Sequence, residues 1–188
     1  MIESDQLLSE RACGGDPMAA TELLKRHYQA IFAYLRRLCG GDEDAADLTQ
    51  RAFAKAWSSL ATFRGQAAFS SWLHGIARHV YLDWLRQRDG SVPRSDEWWE
   101  ARASAEPDPA STAEDRDLQV QLYRWVDQLD DQKKQTVHLH YYQGLSLEDT
   151  AGALGIATST VKYRLREALE FLRSKTSEPK IAPTRKAI

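Results

Sequence analysis

Apolar residues recur every three or four positions along most of this chain, which is the pattern of amphipathic α-helices. In the first half the pattern predicts three helices, over residues 17–39, 42–60 and 70–88. The dipeptide Asp16-Pro17 predicts a helix N-cap followed by proline at the first helical position. Gly40-Gly41 predicts the end of that helix. Since no segment alternates at the two-residue period of a strand, the chain is predicted to be all-α.

The helical spacing stops after residue 88 and returns at residue 115. Glycine and three prolines interrupt the intervening stretch, which predicts a flexible linker over residues 89–114. We therefore predict two small helical bundles joined by this linker, over residues 1–88 and 115–173, with a loose basic tail at 174–188. The Trp98-Trp99 pair in the linker is either a short helical turn that packs on a bundle or a contact with a partner.

Residues 146–166 have the pattern of a helix-turn-helix. Small Ala151 suits a close approach of two helices, and Gly155 suits a turn with positive φ. Three apolar residues then point inward (Ile156, Val161 and Leu165), whereas Lys162, Tyr163, Arg164 and Arg166 face outward. A basic helix presented in this way fits the major groove of DNA, so the chain is predicted to bind DNA.

The chain has 188 residues and a net charge of −2, whereas a protein that only coats DNA would be strongly basic. Acidic and basic side chains are therefore expected on separate surfaces. Cys13 and Cys39 lack CxxC spacing, and we predict neither a metal site nor a cofactor. The sequence shows no signal-peptide pattern and no run of about 20 apolar residues, which predicts a cytoplasmic protein without membrane insertion.

Two further patterns occur in the first bundle. Asp44, Asp47, Gln50 and Arg51 share one helix face, which either grips a basic helical partner or only caps its own helix; residue types alone favour capping. The helix over 72–88 interleaves aromatic and basic residues, which suits unpaired bases and phosphates. Four apolar residues of this helix are assigned to the core: Trp72, Ile76, Val80 and Trp84. The arginines, His79 and the Phe63-Arg64 loop are then the candidates for contact with nucleic acid.

Taken in order, these segments resemble bacterial RNA polymerase sigma factors of the extracytoplasmic-function (ECF) group. The resemblance covers about residues 15–88 and 115–173. In the first half it is carried by Asp47-Leu48-Thr49-Gln50 with Phe53 and Ala56-Trp57, Phe63-Arg64-Gly65 with Phe69, Trp72-Leu73, Ile76-Ala77-Arg78, Asp83, Arg86 and Arg88. In the second half it is carried by Leu145-Ser146-Leu147-Glu148, Ala151, Leu154-Gly155, Thr160-Val161-Lys162, Arg164 and Leu165.

The resemblance implies a division of labour. The first bundle would be a region-two domain whose acidic helix docks on the clamp of the largest polymerase subunit, which overrides the capping interpretation. The implied polymerase contacts are Asp44, Asp47, Gln50 and Arg51. The same bundle would melt and capture the minus-ten element of the promoter. The implied contacts there are Phe63, Arg64, Arg78, His79, Arg86 and Arg88.

The second bundle would be a region-four domain that reads the minus-thirty-five element and meets the flap of the second polymerase subunit. The implied DNA contacts are Ser159, Thr160, Lys162, Tyr163, Arg164 and Arg166. Members of the group often have asparagine in place of His79 and a small residue in place of Tyr163, which points to an unusual promoter preference. Further implied features are an anti-sigma partner, association with the nucleoid when active, and the lack of a small-molecule substrate.

Two alternatives stand beside this reading. A stand-alone helix-turn-helix regulator explains residues 146–166 equally well, but it leaves the two patterned helices of the first bundle without a role. An enzyme would have to use the five histidines, yet His138 and His140 are spaced so that they face apart on a helix. The sequence contains no nucleophile elbow or phosphate-binding loop, and we predict that the chain is not an enzyme.

Overall fold

The computed structural model describes residues 3–65, 67–88 and 113–177, and these ranges contain helices, turns and loops without a strand. The all-α prediction is confirmed. The first bundle consists of α1 (Asp5–Cys13), α2 (Pro17–Cys39), α3 (Asp42–Ser59), a 3₁₀ turn (Leu60–Thr62) and α4 (Phe69–Gln87). The second bundle consists of α5 (Ala113–Asp127), α6 (Asp131–Val137), a π-helical turn (His138–Tyr142), α7 (Leu147–Leu154) and α8 (Thr158–Ser177).

The helix boundaries follow local chemistry. The Asp16 carboxylate accepts hydrogen bonds from the backbone N–H groups of Met18 and Ala19, which satisfies two of the unpaired donors at the start of α2. Gly40 ends α2 in the left-handed conformation at φ 81°. The predicted bounds of α2, α3 and α4 are therefore confirmed to within one residue or so.

Helix α1 was not predicted from the sequence. This helix places Leu8 and Ala12 against the first bundle but carries too few apolar residues for a clear periodic signal. Its N-cap is Ser4, whose hydroxyl accepts a hydrogen bond from the backbone N–H of Leu7. A serine followed by an acidic first turn was the signal that could have predicted it.

Each bundle has its own apolar interior. In the first bundle α2 packs against α1, α3 and α4. The fully buried side chains of this bundle include Leu23, Ile31, Tyr34, Leu35, Leu48 and Leu73. In the second bundle α5, α6, α7 and α8 surround Val126, Leu129, Val137, Ala151, Val161, Leu165 and Ala168. The inward positions predicted for the helix-turn-helix, Val161 and Leu165, are among them.

The two bundles also pack directly against each other, which the sequence analysis did not predict. Helix α4 of the first bundle lies against α7 of the second. Leu139, Leu145, Ala153 and Leu154 of the second bundle join the buried apolar cluster of the first. The two predicted bundles are therefore in direct contact in this structure.

Some predictions lie outside the described residues. They concern the flexibility of the linker, the Trp98-Trp99 pair within it and the loose basic tail. The second bundle begins at Ala113 and α8 ends at Ser177, close to the predicted limits of 115 and 173. None of the described helices is both long and apolar enough to cross a lipid bilayer.

Gly155→Ala should destabilise the second bundle. Gly155 closes α7 at φ 67°, where an alanine Cβ meets no neighbour and the cost is backbone strain of about 1–2 kcal/mol. Urea denaturation of the full chain measures this loss. Gly155→Asn is the matched control and should lose less, because asparagine tolerates the left-handed conformation; equal losses in both variants would contradict the explanation.

Candidate nucleic-acid interface

The helix-turn-helix is held by a cap and a turn. The Ser146 hydroxyl accepts a hydrogen bond from the backbone N–H of Asp149 at 3.0 Å and donates one to the Asp149 carboxylate. At the other end of α7, Gly155 turns the chain toward α8. Val161 lies on the inner side of α8 and is fully buried, so the opposite side of that helix faces outward.

The outward side of α8 carries the predicted basic and aromatic residues. Tyr163 is 52% exposed, and the Arg166 guanidinium lies over its ring at 5.4 Å. Arg164 is half-buried because its guanidinium donates a 2.7 Å hydrogen bond to the side-chain oxygen of Gln132 at the start of α6. The remaining predicted residues of this surface are exposed or half-buried: Ser159, Thr160 and Lys162. Together they form one accessible ridge suited to a DNA groove.

The predicted minus-ten loop borders a large cavity of about 990 Å³. Phe63 is half-buried rather than projecting, with its ring 5.6 Å from that of Phe69 and 5.1 Å from that of Trp72. Arg64 is exposed at the rim. The cavity also touches α1 and the first turn of α7, so that four carboxylates line it: Asp5, Glu10, Glu148 and Asp149.

Helix α4 carries its predicted basic residues on different faces. Arg78 points toward the second bundle, where its Nε donates a 2.7 Å hydrogen bond to the side chain of Gln135. His79 faces solvent, and Arg86 lies with Asp83 near the end of the helix. Sequence spacing placed Arg78 and His79 in one stretch, whereas the structure separates them.

The predicted polymerase face on α3 is open. Asp47 and Arg51 form an exposed ion pair at 2.8 Å, and Gln50 is exposed beside them. Asp44 instead reaches across to the end of α4, where Arg88 donates a 2.7 Å hydrogen bond to it. The Arg88 guanidinium also lies 4.8 Å from the Trp84 ring. The structure thereby joins one predicted polymerase contact to one predicted DNA contact.

Comparison with known proteins identifies the chain. The family model for sigma-70 region 2 matches residues 23–90, and that for sigma-70 region 4 matches residues 125–174. The RNA polymerase sigma-H factor of Pseudomonas aeruginosa is 31% identical over 179 residues, which cover 89% of this chain and 93% of that protein. The chain belongs to the ECF group of bacterial sigma factors. It is a transcription initiation factor that recognises promoters, as the resemblance predicted.

Further similarities agree with this sigma-factor assignment. The ECF sigma-E factor of Escherichia coli is 28% identical over 180 residues, covering 92% of this chain and 94% of that protein. Two solved structures share the fold: CnrH in complex with the cytosolic domain of CnrY, and the sigma factor RpoE of Bartonella quintana in complex with the anti-sigma factor NepR. Their TM-scores are 0.70 and 0.65 at 22% identity, and they cover 93% and 85% of this chain and 97% and 98% of their own.

The sequence analysis missed Gln132 and Gln135, each of which binds a predicted DNA-contacting arginine of this sigma factor. Both lie on α6, where uncharged amides give no periodic or motif signal. Sigma factors are transcription factors rather than enzymes as a family. Among the described residues, no cluster of histidine, cysteine, aspartate and glutamate has the geometry to hold a metal ion.

His74 lies on α4 near the boundary between the bundles and is 2% exposed. Its Nδ1 lies 2.7 Å from the Ser70 carbonyl, which only accepts, so Nδ1 carries the proton. The Tyr34 ring packs edge-on at 5.3 Å. Burial lowers the pKa of His74 below its ordinary 6.5, although Ser70 and Gln143 oppose the shift, and the folded protein therefore holds this ring neutral.

The stability of this sigma factor should fall as the pH drops below about 6.5. As the pH falls, the unfolded chain takes up a proton on His74 at a higher pH than the folded chain does. The free energy of unfolding is therefore highest above pH 6.5, and it decreases as the pH falls toward the lower pKa that His74 has in the folded chain. Melting temperatures measured from pH 8 to pH 5 should fall less steeply in His74→Gln than in the wild type. Identical slopes would contradict a neutral buried His74.

Proposed function

We propose that this sigma factor binds core RNA polymerase in the bacterial cytoplasm and directs it to promoters through two separate DNA contacts. The observation that carries the residue assignment is the exposed ridge of α8, mounted on a buried core and composed of basic, hydroxyl and aromatic side chains. In this assignment α8 enters the major groove of the minus-thirty-five element. Its contacting residues are Ser159, Thr160, Lys162, Tyr163, Arg164 and Arg166.

Base readout along α8 follows from side-chain geometry. Arg164 and Lys162 present donors to base edges and phosphates. The hydrogen bond that Arg164 donates to Gln132 fixes the direction of the guanidinium before DNA arrives, which lowers the entropy lost on binding. Tyr163 adds a large exposed ring where related proteins often have a small residue, and we assign to it the unusual part of the promoter preference.

The first bundle nucleates opening at the minus-ten element. Opening DNA costs about 1.4 kcal/mol per base-pair step, whereas one unpaired base stacked on an aromatic side chain returns about 1–3 kcal/mol. The cavity beside Phe63 and Arg64 offers such a place for an unstacked base. We assign contacts with the DNA backbone to four further residues, which lie on different faces of α4 or at its end: Arg78, His79, Arg86 and Arg88.

Core polymerase supplies the affinity for promoter DNA that the free protein lacks. The protein carries a net charge of −2, so its DNA contacts are few and sensitive to salt. We assign docking on the clamp of the largest subunit to the exposed acidic side of α3, formed by Asp44, Asp47, Gln50 and Arg51. The second bundle meets the flap of the second subunit, and the polymerase then fixes the distance between the two DNA contacts.

Other partners follow from the family. One structural neighbour is the sigma factor RpoE bound to the anti-sigma factor NepR, and CnrH is bound to the cytosolic domain of CnrY. We propose that this protein too is held inactive by an anti-sigma factor. It acts on no small-molecule substrate, catalyses no reaction itself and associates with the nucleoid when active. Run-off transcription with core polymerase on a genomic promoter library tests the function and identifies the promoter; a lack of specific transcripts would refute it.

Lys162→Ala combined with Arg164→Ala should lower run-off transcription at least about tenfold, because each such DNA contact contributes about 1–3 kcal/mol. Arg173→Ala is the control, since it lies nine residues further along α8, about 13 Å from Arg164. Capture of core polymerase should be unchanged in both. Loss of polymerase capture in the double variant would show that the roles of the two bundles are assigned wrongly.

Asp47→Lys combined with Gln50→Ala should weaken capture of core polymerase at least about tenfold, because the change places a cation against a basic clamp helix. Glu22→Lys, an exposed charge reversal on α2, is the control and should bind polymerase normally. A pull-down titration measures both. Normal capture by the double variant would show that core polymerase docks on a surface other than this side of α3.

A further inference from the structure

Helix α1 forms one wall of the cavity in which the proposed function places an unpaired base. Asp5, Glu10 and Cys13 of this helix line the cavity together with Phe63 and Arg64 of the loop. The helix lies ahead of residue 23, where the match to sigma-70 region 2 begins, and the match to region 4 begins at residue 125. The cavity is therefore bounded in part by a segment that neither family model covers.

The last residue of α1 contacts the backbone of the loop. The Cys13 sulfur lies 3.3 Å from the carbonyl oxygen of Phe63 and 3.4 Å from that of Leu60. Carbonyl oxygens only accept hydrogen bonds, so the thiol is the donor to this pair. The backbone nitrogen of Phe63 lies 3.0 Å from the same Leu60 oxygen and also donates to it. The thiol therefore holds the chain where it leaves the 3₁₀ turn and enters the loop.

A second link runs from the start of α1 to the rings behind the loop. The Asp5 carboxylate lies 2.7 Å from Nε2 of His27 on α2 and accepts a hydrogen bond from that nitrogen. The His27 ring lies 5.3 Å from the ring of Phe69, which meets the Phe63 ring edge-on at 5.6 Å. The hydrogen bond restricts rotation of the His27 ring, against which the aromatic pair packs. Asp5 therefore restrains the Phe63 ring through two intervening side chains.

Helix α1 is itself fastened to the first bundle. Arg26 of α2 donates a 2.6 Å hydrogen bond to the backbone carbonyl of Glu3 and a 3.3 Å hydrogen bond to the Asp5 carboxylate. Leu8 and Ala12 bury the apolar side of the helix. Because its first turn is bound and its apolar side is packed, α1 is a fixed support for the loop.

The part of the loop beyond Phe63 is exposed. Arg64 and Gly65 both face solvent, and Gly65 has a φ of 66°, which favours glycine. A binding site on a loop is less precise than one on a helix unless neighbouring groups hold it in place. Fixing the loop before DNA arrives also lowers the entropy lost when a base is captured. Support at Phe63 therefore bears directly on base capture.

We propose that α1 is a positioning element for minus-ten recognition, in which Cys13 holds the backbone of Phe63 and Asp5 holds its ring through His27 and Phe69. The supported loop then accepts an unpaired base of the promoter in the cavity. This inference rests on the proposed function, because it concerns the same cavity. It gives a role in promoter opening to a helix that the family models do not cover.

Three cysteine variants test the link to the loop backbone. Cys13→Ala removes the donor, whereas Cys13→Ser keeps a donor at the same position. Cys39→Ala is the matched control, because the buried Cys39 sulfur makes the same kind of hydrogen bond, at 3.3 Å to the Gly41 carbonyl, outside the cavity. Each variant of the full chain is combined with core polymerase on a promoter identified by run-off transcription. The reactivity of the minus-ten thymines toward permanganate then reports opening.

Cys13→Ala should lower this reactivity at least about twofold, the effect of one weak hydrogen bond, whereas Cys13→Ser and Cys39→Ala should match the wild type. Capture of core polymerase should be equal in all of these proteins, since the Asp47 side of α3 is unchanged. Wild-type opening by Cys13→Ala, an equal loss in Cys39→Ala, or a lack of rescue by serine would overturn the proposal while leaving the function intact.

The link to the rings is tested from the start of α1. Asp5→Ala removes the acceptor for His27, whereas Asp5→Asn keeps an acceptor oxygen there. Glu3→Ala is the control, because it removes the 2.6 Å ion pair with Arg11 and leaves the bond to His27 in place. Asp5→Ala should lower permanganate reactivity at least about twofold, and the other two variants should not. An equal loss in Glu3→Ala would contradict positioning through His27.

Abasic promoters separate positioning from stability. Templates that each lack one base of the minus-ten element, in either strand, are transcribed with the wild type and with Cys13→Ala, and the initial run-off rates are compared. The difference between the two proteins should vanish on the template that lacks the captured base and persist on the others. A loss of stability alone would lower transcription on every template alike, and that result would contradict the proposal. A lack of specific transcripts with the wild type would instead refute the proposed function.

Discussion

The close approach of α4 and α7 is the contact on which the arrangement of this sigma factor depends. Two glycines, Gly75 and Gly152, allow backbone to meet backbone and side chain at van der Waals distance. Apolar residues from both bundles then close a common core. Because of this contact, the side of α4 that carries Arg78, which was predicted from the sequence to bind DNA, is an internal interface in the folded chain.

The same constraint explains how the protein combines DNA-binding surfaces with a slightly acidic net charge. Two arginines at α4 are engaged by the chain's own groups, Arg78 by Gln135 and Arg88 by Asp44. Each such bond offsets part of the attraction to phosphate. The outer ridge of α8 stays accessible, so the two proposed DNA surfaces differ in accessibility in the free chain.

Much of the fold and part of the site could be predicted from sequence. Asp16, Gly40 and Gly155 mark helix ends through capping and backbone chemistry that act locally, and the buried Val161 and Leu165 follow from helical spacing. The outward side of α8 follows from the same spacing. These features depend on neighbours within one turn, which the sequence displays directly.

The remaining features depend on contacts distant in sequence. Helix α1 has too few apolar positions to be periodic, and its burial comes from packing on α2. Ser71 and Gln135 are polar residue types that are common at protein surfaces, and here both are buried at the contact between the two bundles. The carboxylates around the Phe63 cavity come from α1 and α7, which no linear motif brings together.

The distance between the two bundles is the most direct measure of the contact between α4 and α7. Dyes on Lys25→Cys in α2 and Ser174→Cys in α8, both exposed, would report it by energy transfer once Cys13 and Cys39 are replaced by serine and alanine. High transfer is expected in the free chain, and a separation greater by tens of ångströms is expected in the promoter complex with polymerase. Equal transfer in the two states would contradict this expectation.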